Sequence, residues 1–355
     1  MNRSIDNTAL APQDTALTAL YQQFSGLETP VWWFADEHIA DMPLPAARPE
    51  WQCFSNRCDI AQKLSAANYP VKLGDFELGS VGSLPKTVCY RVSKEKALVH
   101  HLINQALQVL PLSGVLLLSG HKNDGLQTYA KKAAAIAGSK VELKKMPGAA
   151  YLARIVKQQE PTEFLPDSNY IELQEISDAP RLYSKPGVFG WQKIDRGSEL
   201  LATQLPAFFQ QYSQAPERLA DLGCGYGYIS VVAAELLPGR QWLLTDNNAT
   251  ALLAAAKNCE EHGIEAELAL LDCADGRTGP VDAVLCNPPF HKGFAVAGSL
   301  TDRFIGAAHR LLRPGGRALF VVNEFIPVER KASLLFKDVR LLSKSEGFKV
   351  VSLTK

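Results

Sequence analysis

The 355-residue sequence has no net charge, no long apolar run and no paired Cys-x-x-Cys elements. No segment approaches the roughly 18 uninterrupted apolar residues that suggest a membrane-spanning helix. Residues 1–20 are polar and charged throughout, so no secretory signal is expected. The seven cysteines are scattered and odd in number, which favours a reducing compartment and leaves a structural zinc site without support. We therefore expect a cytoplasmic protein without a metal.

The charges balance, with 37 Lys and Arg residues against 37 Asp and Glu residues. This balance provides no general attraction to nucleic acid, although a local basic face would be enough for RNA. With 46% hydrophobic and 21% charged residues, the composition is globular and excludes a disordered or fibrous chain. At about 100–200 residues per domain, the length predicts two domains.

Apolar strands alternate with amphipathic helices in both halves, which predicts two tandem doubly wound α/β domains. Between them lies a polar stretch with four prolines and no periodicity, residues 158–186, which is typical of a linker. The predicted division is a first domain at 1–160, a linker at 161–185 and a second domain at 186–355. The shared rhythm suggests a duplication in which only one half keeps its chemistry.

A glycine-rich loop, Asp221-Leu-Gly223-Cys-Gly225-Tyr-Gly227, separates the predicted strand Arg218–Leu222 from a predicted helix. Its glycines permit a tight turn and close approach of a ligand, and the helix N-terminus offers unpaired N–H groups. The G-x-G-x-G spacing differs from the G-x-G-x-x-G of dinucleotide-binding folds. The acidic residue before it suits a cationic, amino-acid-bearing ligand better than a diphosphate. The alternative is a glycine-rich turn that binds nothing.

Two acidic residues follow the next two predicted strands. Asp246 ends the strand Trp242–Thr245, where a carboxylate can accept hydrogen bonds from both hydroxyls of a ribose. The alternative for Asp246 is a helix N-cap. Asp272 and Cys273 follow the strand Ala266–Leu271, where a carboxylate could receive an adenine amino group, although a turn-forming Asp is the alternative.

The tetrapeptide Asn287-Pro288-Pro-Phe290 follows the fourth predicted strand, Val281–Cys286. The prolines restrict the backbone, so the Asn287 side chain and the Pro288 carbonyl can present two acceptors to one amino group. Phe290 adds an aromatic face on which a base can stack. A plain Asn-Pro turn is the alternative. His291 stays outside the catalytic set, because a packing role is at least as plausible.

In this order and at strand ends, these motifs resemble the class I S-adenosylmethionine-dependent methyltransferases. The tetrapeptide resembles the subset that methylates planar amino nitrogens. The resemblance implies that the glycine loop binds the methionine part of S-adenosyl-L-methionine, Asp246 its ribose and Asp272 its adenine. The implied cofactor-binding residues are Asp221, Gly223, Gly225, Gly227, Asp246, Asp272, Cys273 and Asn287, and the implied catalytic residues are Asn287, Pro288 and Phe290.

A narrower resemblance links PGVFGWQKIDRGSELL (186–201) and NPPFH (287–291) to the ribosomal RNA guanine-N2 methyltransferases. It implies two tandem Rossmann-like methyltransferase domains, of which the N-terminal one is degenerate. PGVF and the run HGIEAEL (262–268) favour the small-subunit enzymes, hence methylation of a guanine N2 in 16S ribosomal RNA. The expected substrate is an assembled or assembling small subunit, and the expected enzyme is a monomer.

In the first half, the strand GVLLLSG leads into His121–Gly125, which lacks an acidic G-x-G-x-G pattern. Residues 91–94, RVSK, stand where a second NPPF would follow the predicted strand Thr87–Tyr90. Both departures are typical of a non-catalytic copy. Lysines make this half either an RNA platform or a solvated charged face. They are Lys122, Lys131, Lys132, Lys140, Lys144 and Lys145, and Lys193 and Arg196 could reach phosphate near the cleft.

Four other functions stay open. A large-subunit, 23S guanine-N2 methyltransferase shares NPPFH and the glycine loop. A protein glutamine-N5 methyltransferase also uses an Asn-Pro-Pro tetrapeptide, usually with Tyr in place of Phe290. An NAD-dependent oxidoreductase is disfavoured by the glycine spacing, and a non-catalytic RNA-binding scaffold by the intact NPPF.

Overall fold

The computed structural model describes residues 14–79, 83–176, 179–277, 279–289 and 294–355, with the backbone alone at 179–180 and 294–299. The chain divides into two compact units, Met1–Ile171 and Glu172–Lys355. Within the described part of the chain, no helix is both long enough and apolar enough to cross a membrane.

The first unit is built on a seven-stranded sheet with helices. Its strands are β1 (Val31–Phe34), β2 (Trp51–Ser55), β3 (Val71–Leu73), β4 (Thr87–Arg91), β5 (Val115–His121), β6 (Glu142–Lys145) and β7 (Ala150–Val156). Its helices are α1 (Thr15–Tyr21), α2 (Cys58–Ala66), α3 (Lys96–Val109), α4 (Leu126–Ile136) and α5 (Ser168–Ile171). The strand order is β3-β2-β1-β4-β5-β7-β6. Strands β1 to β5 pair in parallel, and β7 runs antiparallel to β5 and β6.

The second unit begins with a hairpin of β8 (Gln174–Ile176) and β9 (Ala179–Ser184). Its main strands are β10 (Arg218–Leu222), β11 (Gln241–Asp246), β12 (Ala266–Leu270), β13 (Val281–Cys286), β14 (Leu312–Asn323), β15 (Asp338–Ser345) and β16 (Phe348–Thr354). Its helices are α6 (Arg196–Phe209), α7 (Tyr228–Leu236), α8 (Ala249–Glu261), α9 (Phe294–Leu311) and α10 (Val328–Ala332). The order β12-β11-β10-β13-β14-β16-β15 repeats that of the first unit strand for strand. Two tandem doubly wound α/β units are therefore confirmed, each with an antiparallel edge.

The repeated order corrects one detail of the sequence comparison. Strand β1 occupies the place of β10, so the counterpart of the glycine loop is the segment after β1, residues 35–39. The comparison with His121–Gly125 was wrong, because that segment follows β5, the counterpart of β14. The four-residue strand β1 is a short buried run of VWWF, which periodicity alone does not distinguish from a helix segment. The comparison after Thr87–Tyr90 was correct, because β4 takes the place of β13.

Residues 161–185, expected as a linker, carry helix α5 and the hairpin β8–β9. The α5 residue Tyr170 donates its hydroxyl to Asp75 Oδ1 at 2.6 Å within the first unit. Asn258 of α8 accepts from the Tyr183 backbone N–H at 2.7 Å and donates to the Tyr183 carbonyl at 2.8 Å. Such side-chain contacts order a stretch that has no apolar periodicity, so the sequence pattern did not reveal them.

Each sheet is covered on both faces by apolar clusters. In the second unit all six residues of β13 are buried, and Leu219, Ala220 and Leu222 of β10 are fully buried. Strands buried on both faces read as continuous apolar runs, which explains why β10 and β13 were predicted with their observed bounds. The packed sheet provides a rigid platform on which the loops after β10, β11, β12 and β13 are displayed.

Candidate active site

The predicted site residues that the structure describes lie at one edge of the second sheet. Strands β12, β11, β10 and β13 are neighbours and run in parallel, so their carboxyl ends meet at that edge. In open α/β sheets, ligands bind in the crevice outside the carboxyl ends of the strands, where the strand order reverses. Strand β10 lies at such a point, since β11 lies on one side of it and β13 on the other.

The glycine loop turns tightly between β10 and α7. Gly223, Gly225 and Gly227 have φ values of +69°, +57° and +87°, in the left-handed region that favours glycine. The N–H groups of Gly223 and Cys224 donate to the Thr245 carbonyl at 2.8 and 2.9 Å, which ties the loop to β11. A Cβ on Gly225 would have no described heavy atom within 4 Å. Gly225 therefore borders open space, as a ligand approaching the backbone requires.

Asp221, the acid that precedes the glycines, is fully buried. Its Oδ2 accepts a hydrogen bond from the Ser230 hydroxyl at 2.7 Å, while no described donor reaches its Oδ1. Burial raises the pKa of Asp221 to about 7, against the hydrogen bond from Ser230 and with the charge of Asp246 adding to the rise. A buried carboxyl oxygen without a partner is uncommon and is typical of a functional site.

Asp246, at the end of β11, connects the glycine loop to the next turn. Its Oδ2 accepts from the Gly225 N–H at 2.9 Å, and its Oδ1 accepts from the Asn248 N–H at 2.9 Å. Asn248, not Asp246, caps α8, because its Oδ1 accepts from the Thr250 N–H at 3.0 Å. The N-cap alternative for Asp246 was therefore wrong. Asn248 also donates to the Gly187 carbonyl at 3.0 Å, which holds the PGVF segment beside this edge.

Asp272 and Cys273 follow β12, as expected, and form a tight turn. Cys273 is buried with φ +48°, in the left-handed region. Asp272 Oδ2 accepts from the Arg303 guanidinium of α9 at 2.8 Å, and the same Nη2 lies 3.1 Å from Asp275 Oδ2. One oxygen of Asp272 is thus engaged in an ion pair that the sequence did not reveal.

Asn287 begins the loop after β13, and its amide nitrogen lies between two acceptors. Nδ2 donates to Asp195 Oδ2 at 2.9 Å and to Ser198 Oγ at 2.8 Å. Asp195 is also the N-cap of α6, since its Oδ2 accepts from the Ser198 N–H at 2.9 Å. Pro288 is buried. Phe290 and His291 lie outside the described residues.

Four contributors were missed by sequence reasoning: Asp195, Ser198, Ser230 and Arg303. For the first pair a signal existed, because Asp195-x-x-Ser198 before an apolar helical pattern is typical of a helix start. Ser230 and Arg303 lie within apolar helical stretches, and nothing local distinguishes them from surface residues. Their roles become visible only when α7 and α9 are placed against the sheet.

The six lysines between residues 122 and 145 that the sequence singled out are all exposed, and four of them lie on α4 or β6. Arg196 is exposed and lies 3.5 Å from Glu346. In the part of the chain that the structure describes, no three His, Cys, Asp or Glu side chains gather as metal ligands would.

Comparisons with known proteins agree with this geometry. Residues 180–352 match the family model of the methyltransferase small domain. A Hahella chejuensis ribosomal RNA small subunit methyltransferase C is 30% identical over 263 residues, which cover 72% of this chain and 74% of the relative. A Haemophilus influenzae protein of the same name is 27% identical over 85% of this chain and 86% of its own length.

Among solved structures, a T. thermophilus 16S rRNA N2 methyltransferase in complex with AdoMet and guanosine shares the fold. The TM-score is 0.80 at 23% identity, with 95% of this chain and 91% of that chain covered. The similarity to the Hahella protein covers more of the chain than the second unit alone, so it extends into the first unit as well. The chain belongs to the ribosomal RNA small subunit methyltransferase C family.

Proposed function

We propose that this protein transfers a methyl group from S-adenosyl-L-methionine to the exocyclic N2 of a guanine in small-subunit, 16S ribosomal RNA. The observation that carries the proposal is the fixed Asn287 amide. Because its nitrogen donates to Asp195 and Ser198, its Oδ1 is left as an acceptor for an amino group. Family membership and the shared fold support the same reaction.

The cofactor-binding residues are those at the carboxyl edge of β10, β11 and β12. The Gly225 backbone offers open space, and Asp246 is held beside it by the Gly225 N–H. The unpartnered Oδ1 of Asp221 suits a positively charged ligand, because a buried carboxylate is stabilised by a nearby cation. When bound, S-adenosyl-L-methionine supplies an electrophilic methyl group and leaves as a neutral thioether. Asp272 and Cys273 border the far end of this site.

At the substrate end, Asn287 and Pro288 position the nucleophile. The lone pair of a guanine N2 is delocalised into the ring, so this nitrogen is a weak nucleophile in the ground state. Hydrogen bonds donated by its two N–H groups to Asn287 Oδ1 and to the Pro288 carbonyl favour a pyramidal nitrogen with an available lone pair. Positioning and fixed dipoles therefore supply most of the acceleration. No strong base is needed, because the methylated nitrogen is cationic and strongly acidic, and it releases its proton to solvent water. Phe290 is proposed to stack on the base, which must leave its helix to reach the cleft.

The first unit is proposed to bind RNA and not the cofactor. Its counterpart of the glycine loop contains no glycine, and its counterpart of Asn287 is Arg91, which has donors but no acceptor. The exposed lysines on α4 and β6 give it a basic surface. We therefore assign residues 1–160 to substrate binding and 186–355 to catalysis, with 161–185 joining them.

The setting of the reaction follows from the substrate. We propose that the enzyme acts in the cytoplasm, as a monomer, on an assembled or assembling small subunit. Two related units in one chain supply a cofactor site and an RNA surface without a second copy. Mass measurement in solution at working concentration tests the monomer, and a comparison of free RNA with isolated subunits tests the assembly state.

The decisive experiment is transfer of labelled methyl from S-adenosyl-L-methionine, offered with 16S RNA, small subunits and large subunits in separate reactions. Nucleoside digestion identifies the product, and Asn287→Ala is the inactive variant. Asn104→Ala is the matched control, because it deletes another buried amide, whose hydrogen bonds among the described residues go to the Leu165 backbone of the first unit.

We expect N2-methylguanosine in small-subunit RNA, lost in Asn287→Ala and retained in Asn104→Ala. Product in large-subunit RNA would move the substrate to 23S RNA. Label in protein would indicate glutamine-N5 methylation and overturn the RNA assignment. Failure to bind S-adenosyl-L-methionine would instead favour a non-catalytic RNA-binding scaffold.

A further inference from the structure

Asn287 is restrained by a carboxylate that lies 92 residues away in the sequence. An amide nitrogen carries two hydrogens, and these point to Asp195 Oδ2 at 2.9 Å and Ser198 Oγ at 2.8 Å. A carboxylate only accepts, so the nitrogen must face Asp195 and the oxygen must face away from it. Asp195 thus decides which end of the amide meets a substrate.

Asp195 is itself fixed by the start of α6. Its Oδ2 accepts from the Ser198 N–H at 2.9 Å, and its carbonyl accepts from the Glu199 N–H at 2.9 Å. A helix N-terminus favours a negative charge at this position. A Cβ on the buried Gly197 would lie 3.0 Å from Asp195 Oδ2, so a larger residue at 197 would crowd the carboxylate. The acceptor is therefore held on a rigid element.

The first unit contains the same connection with a different partner. Asp14 is the N-cap of α1, where its Oδ1 accepts from the Ala16 and Leu17 N–H groups, and its Oδ2 accepts from Arg91 Nε at 3.0 Å. By strand register, Arg91 follows Tyr90 as Asn287 follows Cys286. Both units thus have an aspartate that caps a helix, α1 or α6, and contacts a residue at the carboxyl end of the corresponding strand, β4 or β13. Only the second unit has a side chain there that can also accept.

We propose that Asp195 is a positioning residue for methyl transfer, which holds Asn287 so that Oδ1 accepts a hydrogen bond from the substrate amino group. This inference rests on the proposed function. Asp195 also places a negative charge behind the amide, and that charge favours the cationic nitrogen that forms as the methyl group arrives. Ser198 takes the second amide hydrogen and prevents rotation.

The test compares Asp195→Asn, Ser198→Ala and the control Asp14→Asn, which removes the equivalent acid from the first unit. In Asp195→Asn the neutral side chain no longer dictates the orientation of Asn287. We expect kcat for RNA methylation to fall by about 10²-fold, while the affinity for S-adenosyl-L-methionine, measured by calorimetry, stays within about threefold. Ser198→Ala is expected to lower kcat by a smaller factor. Asp14→Asn is expected to leave kcat at saturating RNA unchanged, because Asp124 still pairs with the Arg91 guanidinium.

A double variant separates positioning from structural support. Asp195→Asn combined with Asn287→Asp restores one amide and one carboxylate with their roles exchanged. We expect the double variant to exceed Asn287→Asp alone in kcat, because the latter places two carboxylates within hydrogen-bond distance. Equal kcat in Asp195→Asn and wild type would overturn the inference, as would a loss explained by weaker cofactor binding. If wild-type protein methylates no RNA, the proposed function fails first, and the two failures are distinct.

Discussion

Asp221 combines full burial with a carboxyl group whose pKa lies at about 7, far above its ordinary value of 3.8. A group with a raised pKa in the fold stabilises the protein below its ordinary pKa and loses that contribution as pH rises through the folded value. The free energy of unfolding of the ligand-free protein should therefore decline between pH 4 and 7 on account of this residue. The same ionisation prepares the site for a cation.

Asp221→Asn should remove this decline, because the amide does not ionise. Relative to wild type, its unfolding free energy should increase by roughly 1–3 kcal/mol from pH 5 to pH 8, measured by urea denaturation. Its affinity for S-adenosyl-L-methionine should fall at pH 8, because the negative charge is gone. The control is Glu235→Gln, an exposed carboxylate on α7, the helix that carries the Asp221 partner Ser230. Parallel pH profiles for wild type and Asp221→Asn would contradict the argument.

Arg91 is the opposite case, a buried cation between two acids. Its side chain lies 3.0 Å from Asp14 and 2.8 Å from Asp124, and all three are mostly shielded from water. Although burial acts to raise it, the His121 N–H and the Arg91 guanidinium hold the pKa of Asp124 below its ordinary value. The one cation compensates both carboxylates, so its loss would leave two buried acids without a charged partner.

Arg91→Met should destabilise the first unit by about 3–5 kcal/mol, because it leaves two carboxylates without their cation. Denaturant unfolding measures the loss, and the exposed Arg196→Met, whose pair with Glu346 is solvent-accessible, should change stability by less than about 1 kcal/mol. Equal losses of stability in Arg91→Met and Arg196→Met would show that burial does not determine how strongly an ion pair stabilises this protein.

At the scale of elements, two glycines of the loop allow the effect of backbone conformation to be distinguished from the effect of space for a ligand. Gly225 and Gly227 both have positive φ, so Ala at either position should cost roughly 1–2 kcal/mol of stability. At Gly227 a Cβ would meet Leu244 and Ala255 at ordinary contact distances, whereas at Gly225 it would enter open space. Only Gly225→Ala should therefore also lower affinity for S-adenosyl-L-methionine, by tenfold or more, in equilibrium binding. Similar affinity losses in both variants would place the ligand elsewhere.

Strands buried on both faces, such as β10 and β13, were predictable because a continuous apolar run has few other interpretations. The order of the motifs at strand ends then predicted most of the residues of the proposed site, and the described ones lie together at one edge of the sheet. In contrast, β1 escaped detection because it is a buried run of only four residues. The contact between Asp195 and Asn287 is invisible to sequence patterns, since only the sheet brings α6 beside β13.

At the scale of the whole molecule, the distribution of charge matters more for RNA binding than the net charge does. The formal charge is zero, yet six exposed lysines cluster between residues 122 and 145. Lys144→Glu combined with Lys145→Glu should weaken binding of ribosomal RNA about tenfold at physiological salt and reduce the salt dependence of binding. The control is Lys86→Glu, an exposed lysine just before the amino end of β4, whereas Lys144 and Lys145 lie at the carboxyl end of β6. The measurement is filter binding over a series of salt concentrations. Unchanged binding would indicate a solvated charged face.

Because of the Arg91 guanidinium, the stabilities of the two units should depend differently on the concentration of S-adenosyl-L-methionine. In the first unit the stabilising cation is the Arg91 side chain, which is part of the chain and does not depend on the supply of any metabolite. The second unit is proposed to receive its cation from solution, and a ligand that binds only the folded state raises stability with its concentration. Heating at increasing S-adenosyl-L-methionine should therefore delay the melting of the second unit alone, so that the folded lifetime of the catalytic half, but not of its partner, follows the methyl-donor supply of the cell.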